Sequence, residues 1–489
     1  MLVHKLKDQG HRDDIALVFR EQHITYGDVQ DRVAMFRDYF YQQGIRPKQN
    51  VGLFCRNSPD FVYCYFALAS LGAVVVPINI NLAAPEIAYI VKDAGIIRMV
   101  TSQPLELGDE VKQLLIAEFG PGLAKADLPA APDIDDIAEE SECVIIYTSG
   151  TTGFPKGAVL THHNLISNAE ATNQILLVSK EDNMLSVLPM FHAFAWTVTI
   201  LAPLLAGAKI TIVEVFFPKD VIATIKRQSV SVVCGVPSMH NFYLALGTTE
   251  DFSSVRVFVS GGAPLPVEVL NQFQQKLGVA LVEGYGLSEA SPVCALNPLN
   301  RSKAGSIGPA IPGVELLIVD EKHNVLPAGE VGELIVRGPN VMKGYYNMPR
   351  ATAQAVVDGW LHTGDMAYID EEGYVFIVDR LKDVVIVGGL NVYPREVEEV
   401  LYQYPGISEA SVIGIPDKMR GEAICAFVAM KDGQTFDRRA ILSFLNPRLA
   451  NYKLPREVIA LESIPKNSTG KISKNDLRTL YAERYQRKA

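Results

Sequence analysis

Short apolar runs alternate with longer stretches of helical pattern over roughly the first 300 residues. The runs are rich in β-branched residues and end in polar or glycine-containing turns. They lie at Val51–Phe54, Val74–Ile78, Cys143–Tyr147, Lys209–Val213, Ser231–Cys234 and Val255–Val259. Alternating strand and helix signals are typical of α/β units with largely parallel sheets.

The pattern changes after about Gly305. Short strands at close spacing with glycine turns indicate a small, mainly β unit, and they lie at Leu316–Val319, Glu333–Val336 and Tyr374–Val378. From Tyr393 a helix is predicted, because Pro394 can take the first helical position. Strands at Val412–Ile415 and Ala423–Met430 then indicate a small α+β unit. The seam between the two bodies is expected within residues 379–392.

Composition excludes several classes of protein. The 489 residues are 48% hydrophobic and 20% charged, so a chain of this make-up can fold around large cores. The net charge of −10 disfavours a nucleic-acid binder held by a basic surface. Six cysteines stand without a C-x-x-C pair, which disfavours zinc and dithiol sites and predicts buried thiols of a reducing compartment.

The stretch from Phe61 to Pro85 contains no charged residue and is long enough to suggest a membrane span. Its polar residues, glycine and prolines favour a buried helix through Leu71 and a buried strand from Val74. No secretory signal pattern is visible at the N-terminus. The prediction is a cytoplasmic protein without a transmembrane span, with peripheral membrane contact left open.

One segment after an apolar strand is rich in glycine and hydroxyl side chains: Tyr147-Thr148-Ser149-Gly150-Thr151-Thr152-Gly153-Phe154-Pro155-Lys156-Gly157. Its glycines let backbone amides turn toward an anion, its hydroxyls add donors, and Lys156 adds positive charge. Pro155 stands where the common P-loop pattern requires glycine, so the segment is a different kind of phosphate loop.

Five segments together resemble the motifs of the adenylate-forming superfamily, which includes acyl-CoA synthetases, luciferases and the adenylation domains of peptide synthetases. They are the phosphate loop, the adenine and magnesium motif, the ribose motif, the hinge and the C-terminal lysine loop. In that order they lie at Tyr147–Gly157, Glu283–Glu289, Gly359–Asp365, Asp379–Asp383 and Pro465–Lys471. Among the family's members, the chain most resembles bacterial long-chain fatty-acid–CoA ligases.

The resemblance implies an α/β fold. A large N-terminal body of two α/β sheet subdomains plus a small β unit (residues 1–380) precedes a small, mobile α+β C-terminal domain (residues 381–489). The implied reaction forms an acyl-adenylate from ATP and an acid, then passes the acyl group to coenzyme A. The expected substrates are a fatty acid, ATP and CoA, with Mg²⁺ as cofactor and no nucleic acid. The protein is expected to be a monomer or a homodimer.

The resemblance also assigns residues to the ATP site. Glu289 and Thr148 would hold Mg²⁺, and Asp365 and Arg380 would bind the ribose. The other residues assigned to ATP or AMP are Ser149, Gly150, Thr151, Thr152, Gly153, Lys156, Gly261, Gly262, Ala263, Glu283, Gly284, Tyr285, Gly286, Ser288 and Lys471.

The C-terminal motifs imply movement between the two half-reactions. Lys471 would be the cation that meets the carboxylate and the α-phosphate during adenylation, and it is expected to be catalytic with Glu289, Thr148 and His192. Lys382 would be the hinge. Rotation of the small C-terminal domain about this hinge would replace Lys471 with the CoA-binding turn Val387-Gly388-Gly389.

The segment around His192 indicates which class of carboxylic acid is the substrate. Amino-acid-activating relatives place an aspartate near this position, and without one a buried substrate ammonium would be costly. The residues expected to bind the acyl group are His192, Phe194, Trp196, Val236 and Pro237. The apolar ones could wall an apolar tunnel, but each could equally be ordinary core, and whether Trp196 closes the tunnel stays open.

Three other functions compete with that of a fatty-acid–CoA ligase. A ligase for an aryl or short acid would use the same motifs. A P-loop ATPase or kinase would release ADP, and the failed P-loop spacing speaks against it. A non-catalytic acyl or nucleotide binder would need few of the residues Glu289, Asp365, Arg380 and Lys471.

Overall fold

The structure is a computed structural model, and it describes residues 1–119, 128–134, 136–148, 155–466 and 471–484. The strands in these ranges are β1 (Ile15–Phe19), β2 (Gln22–Thr25), β3 (Asn50–Phe54), β4 (Val74–Pro77), β5 (Arg98–Thr101), β6 (Lys112–Leu115), β7 (Glu142–Thr148), β8 (Lys156–Thr161), β9 (Asn183–Ser186), β10 (Lys209–Ile212), β11 (Val232–Gly235), β12 (Val257–Ser260), β13 (Ala280–Gly286), β14 (Val293–Leu296), β15 (Glu315–Val319), β16 (Gly332–Arg337), β17 (Gly344–Tyr345), β18 (Val356–Val357), β19 (Trp360–Ile369), β20 (Val375–Arg380), β21 (Val385–Val387), β22 (Leu390–Val392), β23 (Ile407–Asp417), β24 (Gly421–Met430) and β25 (Glu457–Leu461).

The α-helices in the same ranges are α1 (Tyr26–Gln42), α2 (Pro59–Ser70), α3 (Ala84–Asp93), α4 (Ile116–Phe119), α5 (His162–Leu176), α6 (Ala202–Leu205), α7 (Pro218–Gln228), α8 (Pro237–Leu246), α9 (Val267–Leu277), α10 (Pro349–Ala355), α11 (Pro394–Tyr402), α12 (Arg438–Leu445) and α13 (Lys474–Arg484). Short 3-10 helices lie at Val3–Asp8, Ser288–Ala290, Leu381–Asp383 and Asn451–Lys453, and a π-helix lies at Ala195–Leu201.

Two large sheets form the N-terminal body. One has eight strands in the order β14-β13-β12-β11-β9-β10-β1-β2, and the other has seven in the order β17-β8-β7-β4-β3-β5-β6. Their inner pairs are parallel, and antiparallel pairs occur toward the edges, at β1–β2, β13–β14, β7–β8 and β8–β17. This confirms the predicted α/β class with largely parallel sheets.

Two smaller sheets follow. Strands β15-β16-β19-β18, with β20 beside β19, make the mainly β unit, and β22-β21-β24-β23, with β25 beside β24, make the C-terminal sheet. Strand β23 spans 11 residues and β24 spans 10, so the C-terminal hairpin is longer than the predicted Val412–Ile415 and Ala423–Met430. Polar residues are interspersed among the additional residues of β23, so these residues form no continuous apolar run in the sequence.

The uncharged stretch after Phe61 folds as a buried helix and a buried strand, as predicted. Ser58 caps α2 by accepting from the Phe61 N–H, and Pro59 takes the first turn, where its missing N–H costs nothing. Gly72, at φ +67°, follows the helix end and leads into β4. None of the described helices is long and apolar enough to cross a membrane.

The buried core separates into an N-terminal part and a C-terminal part. The largest cluster of buried side chains lies in the N-terminal body and runs from Val3 to Val375. A separate cluster in the C-terminal unit begins at Val385 and includes Val397 and Leu401 of α11. The separation supports the predicted seam within residues 379–392, although the domain bounds stay a prediction.

Candidate functional site

A bulge in β19 carries Asp365 to the site. The pairing with β16 shifts so that Glu333 faces Met366 while Ile335 faces His362, and the additional residues include Gly364 at φ +70°. The buried Asp365 accepts a hydrogen bond from the Tyr285 hydroxyl, and one oxygen lies 3.2 Å from Nε of Arg380. Burial raises the pKa of Asp365, and Arg380 opposes that rise. The structure therefore brings three predicted ATP residues together.

Glu333 supports the bulge and was not predicted as a site residue. One of its carboxylate oxygens lies 2.8 Å from Nδ1 of His362, and the other accepts from the Gly364 N–H at 3.0 Å. These two contacts hold the turn that orients Asp365. Glu333 gave no signal in the sequence beyond an expected strand position.

Glu289 and Lys156 both contact Tyr345, and Thr148 lies across the β7–β8 pair from Lys156. The Tyr345 hydroxyl donates to Glu289 Oε1 at 2.9 Å, and the Lys156 ammonium lies 5.0 Å from the centre of the Tyr345 ring. Thr148 is the register partner of Lys156 in the β7–β8 pair and donates to its carbonyl at 3.4 Å. One carboxylate near Lys156 suits Mg²⁺, which takes few protein ligands and shares its shell with substrate phosphates.

Tyr345→Phe should raise the magnesium concentration needed for half-maximal pyrophosphate release by about 10-fold, the scale of losing a partner that orients a metal ligand. The Glu289 carboxylate would lose the hydroxyl that fixes its orientation. A magnesium titration of the pyrophosphate assay measures this, with the neighbouring Tyr346→Phe as matched control. An unchanged titration in Tyr345→Phe would separate Tyr345 from metal binding.

Lys471 is inserted between the two bodies. Its side chain packs on Gly262, so closely that a Cβ at that glycine would lie 3.1 Å from Lys471 Cε. Gly262 also has a φ of +79°, which disfavours other residues. The lysine ends in a small cavity whose lining consists of Leu188, Pro189, His192, Phe194, Val236, Gly262 and Lys471. The structure thus unites the predicted lysine with four predicted residues of the acyl and adenine sites.

Burial dominates the electrostatics of this lysine. The pKa of Lys471 is lowered to about 8, mainly by desolvation and also by the Arg380 charge, while Asp365 opposes the shift. Desolvation and the Lys471 ammonium lower the pKa of His192 to about 3. His192 is therefore neutral at neutral pH, and its Nδ1 accepts from the Phe194 N–H at 3.3 Å, which leaves the ring proton on Nε2.

The adenylation rate constant kcat/KM for ATP should fall as the pH rises through about 8. Lysine is charged below its pKa and neutral above it, so burial moves the loss of charge down from 10.5 to about 8. Because kcat/KM reports the free enzyme, pyrophosphate release at low ATP from pH 6 to 10 measures this step. A flat profile to pH 10 would contradict a catalytic charge on Lys471.

The remaining predicted acyl residues take different positions. Phe194 packs on Gly261, where a Cβ would lie 3.1 Å from its ring, and Pro237 opens helix α8 directly after Val236. Trp196 lies in the π-helix and packs among Phe61, Tyr65 and Phe66, with its ring centre 4.1 Å from that of Tyr65. It is not part of the cavity lining, and its role as a gate stays a prediction.

The adenine motif forms a backbone surface with one buried acid. Gly261, Gly262 and Ala263 leave the end of β12, and Gly284, Tyr285 and Gly286 end β13, with Ser288 opening the following 3-10 helix. The Glu283 carboxylate is bound within the protein, because it accepts a hydrogen bond from the Leu265 N–H at 3.0 Å. Burial raises the pKa of Glu283 to about 7, against the nearby Arg395 charge.

The predicted hinge lies between two anchored residues. Asp379 accepts from the Arg395 N–H at 2.9 Å, and Asp383 pairs with Arg478 of α13 at 2.6 Å. Lys382 lies between them and is exposed. In the predicted CoA turn, Gly388 and Gly389 are exposed and left-handed between β21 and β22, whereas Val387 is buried in the C-terminal core. The structure therefore has Lys471 in the site while the glycine turn faces solvent.

Part of the predicted phosphate loop, Ser149, Gly150, Thr151, Thr152 and Gly153, lies outside the described residues. The described ends of this loop, Thr148 and Lys156, are neighbours across the β7–β8 pair. Their roles in phosphate binding stay a prediction.

The chain is similar to known proteins over most of its length. A family model described as AMP-binding enzyme matches residues 5–346, and the model of its C-terminal domain matches residues 396–471. A feruloyl-CoA synthase from Amycolatopsis sp is 36% identical over 460 residues, covering 93% of each chain. A long-chain-fatty-acid–CoA ligase from Bacillus subtilis (strain 168) is 33% identical over 513 residues, covering 95% of this chain and 91% of that protein.

A solved structure extends the likeness to the fold. The crystal structure of ATP-bound MatB from Rhodopseudomonas palustris superposes with a TM-score of 0.90 at 30% identity, covering 99% of this chain and 100% of that one. The likeness therefore spans the N-terminal body and the C-terminal unit together.

Proposed function

Because the chain belongs to the AMP-binding enzyme family and is an acid–CoA ligase that acts through an adenylate, we propose that its acid is a medium- or long-chain fatty acid. The observation that carries the proposal is the lining of the cavity at Lys471, where Leu188, Pro189, Phe194 and Val236 are apolar. An apolar wall beside a single cation suits an acid with a carboxylate head and a hydrocarbon tail.

The first half-reaction brings two anions together, the substrate carboxylate and the ATP triphosphate. Lys471 supplies a positive charge where they meet, and its long stem lets the charge arrive with the C-terminal domain. Neutral His192 can donate from Nε2 to a carboxylate in the same cavity. Asp365 and Arg380 hold the ribose side, which fixes the nucleotide relative to Lys471.

Glu289 and Thr148 are the residues that would hold Mg²⁺, and the bound ion would neutralise charge on the phosphates. The second half-reaction needs the thiol of CoA to reach the adenylate. The exposed turn at Gly388 and Gly389 offers backbone that can approach the pantetheine arm without Cβ atoms in the way.

An aryl acid is the second candidate. The feruloyl-CoA synthase from Amycolatopsis sp is slightly more similar to this chain than the Bacillus subtilis ligase is. The Phe194 ring beside Gly261 could stack on an aromatic substrate. Amino acids remain disfavoured, because the described cavity lining contains no carboxylate to pair a substrate ammonium.

A panel of acids tests the proposal. Straight-chain acids from two to eighteen carbons, benzoate and ferulate would be scored for pyrophosphate, AMP and acyl-CoA. Each buried methylene contributes about 0.8 kcal/mol, so kcat/KM should rise about fourfold per methylene until the tunnel is filled. A maximum at ferulate or benzoate, with no rise along the fatty acids, would replace the fatty acid by an aryl acid.

A further inference from the structure

The C-terminal unit is docked on the N-terminal body through the N-termini of two helices. Helix α9 belongs to the N-terminal body, and the residue before it, Pro266, makes no side-chain cap. Glu399 of α11 reaches across and accepts from the Val267 N–H at 3.4 Å. In the other direction, Asp379 of β20 accepts from the Arg395 N–H in the first turn of α11 at 2.9 Å. Each body therefore supplies a carboxylate to a helix start of the other, where the helix dipole favours negative charge.

Arg395 is the cation at the centre of this contact. Only 8% of the residue is exposed. Its Nη1 donates to the Ile377 carbonyl of β20 at 2.8 Å, and its Nε lies 3.8 Å from Glu399 Oε1. Its charge also acts on the buried Glu283 of the N-terminal body. Burial raises the pKa of Glu399, and Arg395 counters that rise.

The contacts of α11 with the N-terminal body also determine the position of Lys471. Helix α11 packs its Val397 and Leu401 into the C-terminal core, and Lys474, three residues after Lys471, pairs with Glu398 of that helix at 3.1 Å. Contacts that fix α11 on β20 and α9 therefore fix the segment that carries Lys471. The Asp383–Arg478 pair joins residues beyond the hinge to α13, so it would travel with the C-terminal unit.

We propose that Arg395 and Glu399 are positioning residues that hold the C-terminal domain in the orientation that inserts Lys471 into the adenylation site. The proposal rests on the proposed two-step function, because it assigns the pair to the first half-reaction only. Rotation toward the second half-reaction would break the Arg395–Ile377 and Glu399–Val267 contacts.

The test compares the two half-reactions in single variants. Arg395→Met keeps most of the apolar stem and removes the guanidinium, and Glu399→Ala removes the cap on α9. In each variant pyrophosphate release should fall by about 10- to 100-fold in kcat, the scale of leaving a buried partner charge unpaired. Thioester formation from supplied acyl-adenylate and CoA should stay within about twofold of the unchanged enzyme, because the same protein need not insert Lys471 for that step.

Glu396→Ala is the matched control. Glu396 lies on the same helix but pairs with Lys453 inside the C-terminal unit, so neither half-reaction should change by more than about twofold. Arg395→Lys should recover part of the adenylation rate if charge, rather than packing, carries the effect. Equal losses in both half-reactions, or unchanged pyrophosphate release in both variants, would overturn the proposal. Failure of the unchanged enzyme to release pyrophosphate with any acid would instead overturn the proposed function.

Discussion

Replacing Lys471 with alanine should slow acyl-adenylate formation by about 10²–10³-fold or more, the scale of losing a preorganised charge stabiliser. The lysine packs on Gly262 and lines the same cavity as His192 and Val236, where the alanine variant has no positive charge to replace it. Pyrophosphate release with ATP and the best acid of the panel measures this step. Thioester formation from supplied acyl-adenylate should be spared.

The neighbouring Lys466→Ala provides the control for this loss. Lys466 lies five residues earlier and pairs with Glu409 within the C-terminal unit. Its removal should leave both half-reactions near the rate of the unchanged enzyme, since partly exposed ion pairs contribute little. Equal losses of both half-reactions in Lys471→Ala would sink the assignment of this lysine to adenylation.

Lys382→Pro should have the opposite selectivity, with thioester formation falling at least about 10-fold more than adenylation. Proline fixes φ at 382 and restricts the preceding Leu381, so the short turn between Asp379 and Asp383 could not absorb a large backbone change. The orientation seen here, with Lys471 inserted, should lose less, because the φ of proline suits residue 382 of the 3-10 helix, although the helical Leu381 before it would be strained.

Single-turnover rates for both steps measure the effect, and Lys382→Ala serves as the control because it keeps the backbone free. Comparable losses in both steps of Lys382→Pro would remove the hinge assignment. Since Lys382 is exposed, the proline itself should not disturb a packed core.

The sequence predicted the elements that rest on strong local patterns. Strands such as β3 and β4 were found within a residue or two, because buried parallel strands read as continuous apolar runs. The two-residue strand β17 gave no such signal, since two residues carry no period. Yet β17 carries Tyr345, which donates to Glu289.

The site was predictable where motifs name their residues. Asp365, Arg380 and Tyr285 came from separate motifs, and the structure brings them into contact. Residues that only support the position of a site residue were not predictable. Glu333 orients the β19 bulge through contacts 29 and 31 residues away along the chain, and no local pattern reports a partner at that distance.

Glu283 shows the limit of reasoning from a motif. It stands in the adenine motif, yet its carboxylate bonds the Leu265 N–H and lies near charges of the C-terminal unit. The motif does not report this hydrogen bond, which only the folded structure shows. Its assignment to ATP stays a prediction.

The desolvated ammonium of Lys471 would couple nucleotide affinity to the placement of the C-terminal domain. Desolvation disfavours its charged form, and a triphosphate in the same cleft would serve as its counter-ion. Nucleotide and closed domain should then strengthen each other by the same factor, as reciprocity between linked equilibria requires. Departure of pyrophosphate takes away part of that counter-ion, so the chemistry itself would loosen the lysine and free the domain to turn toward the thiol.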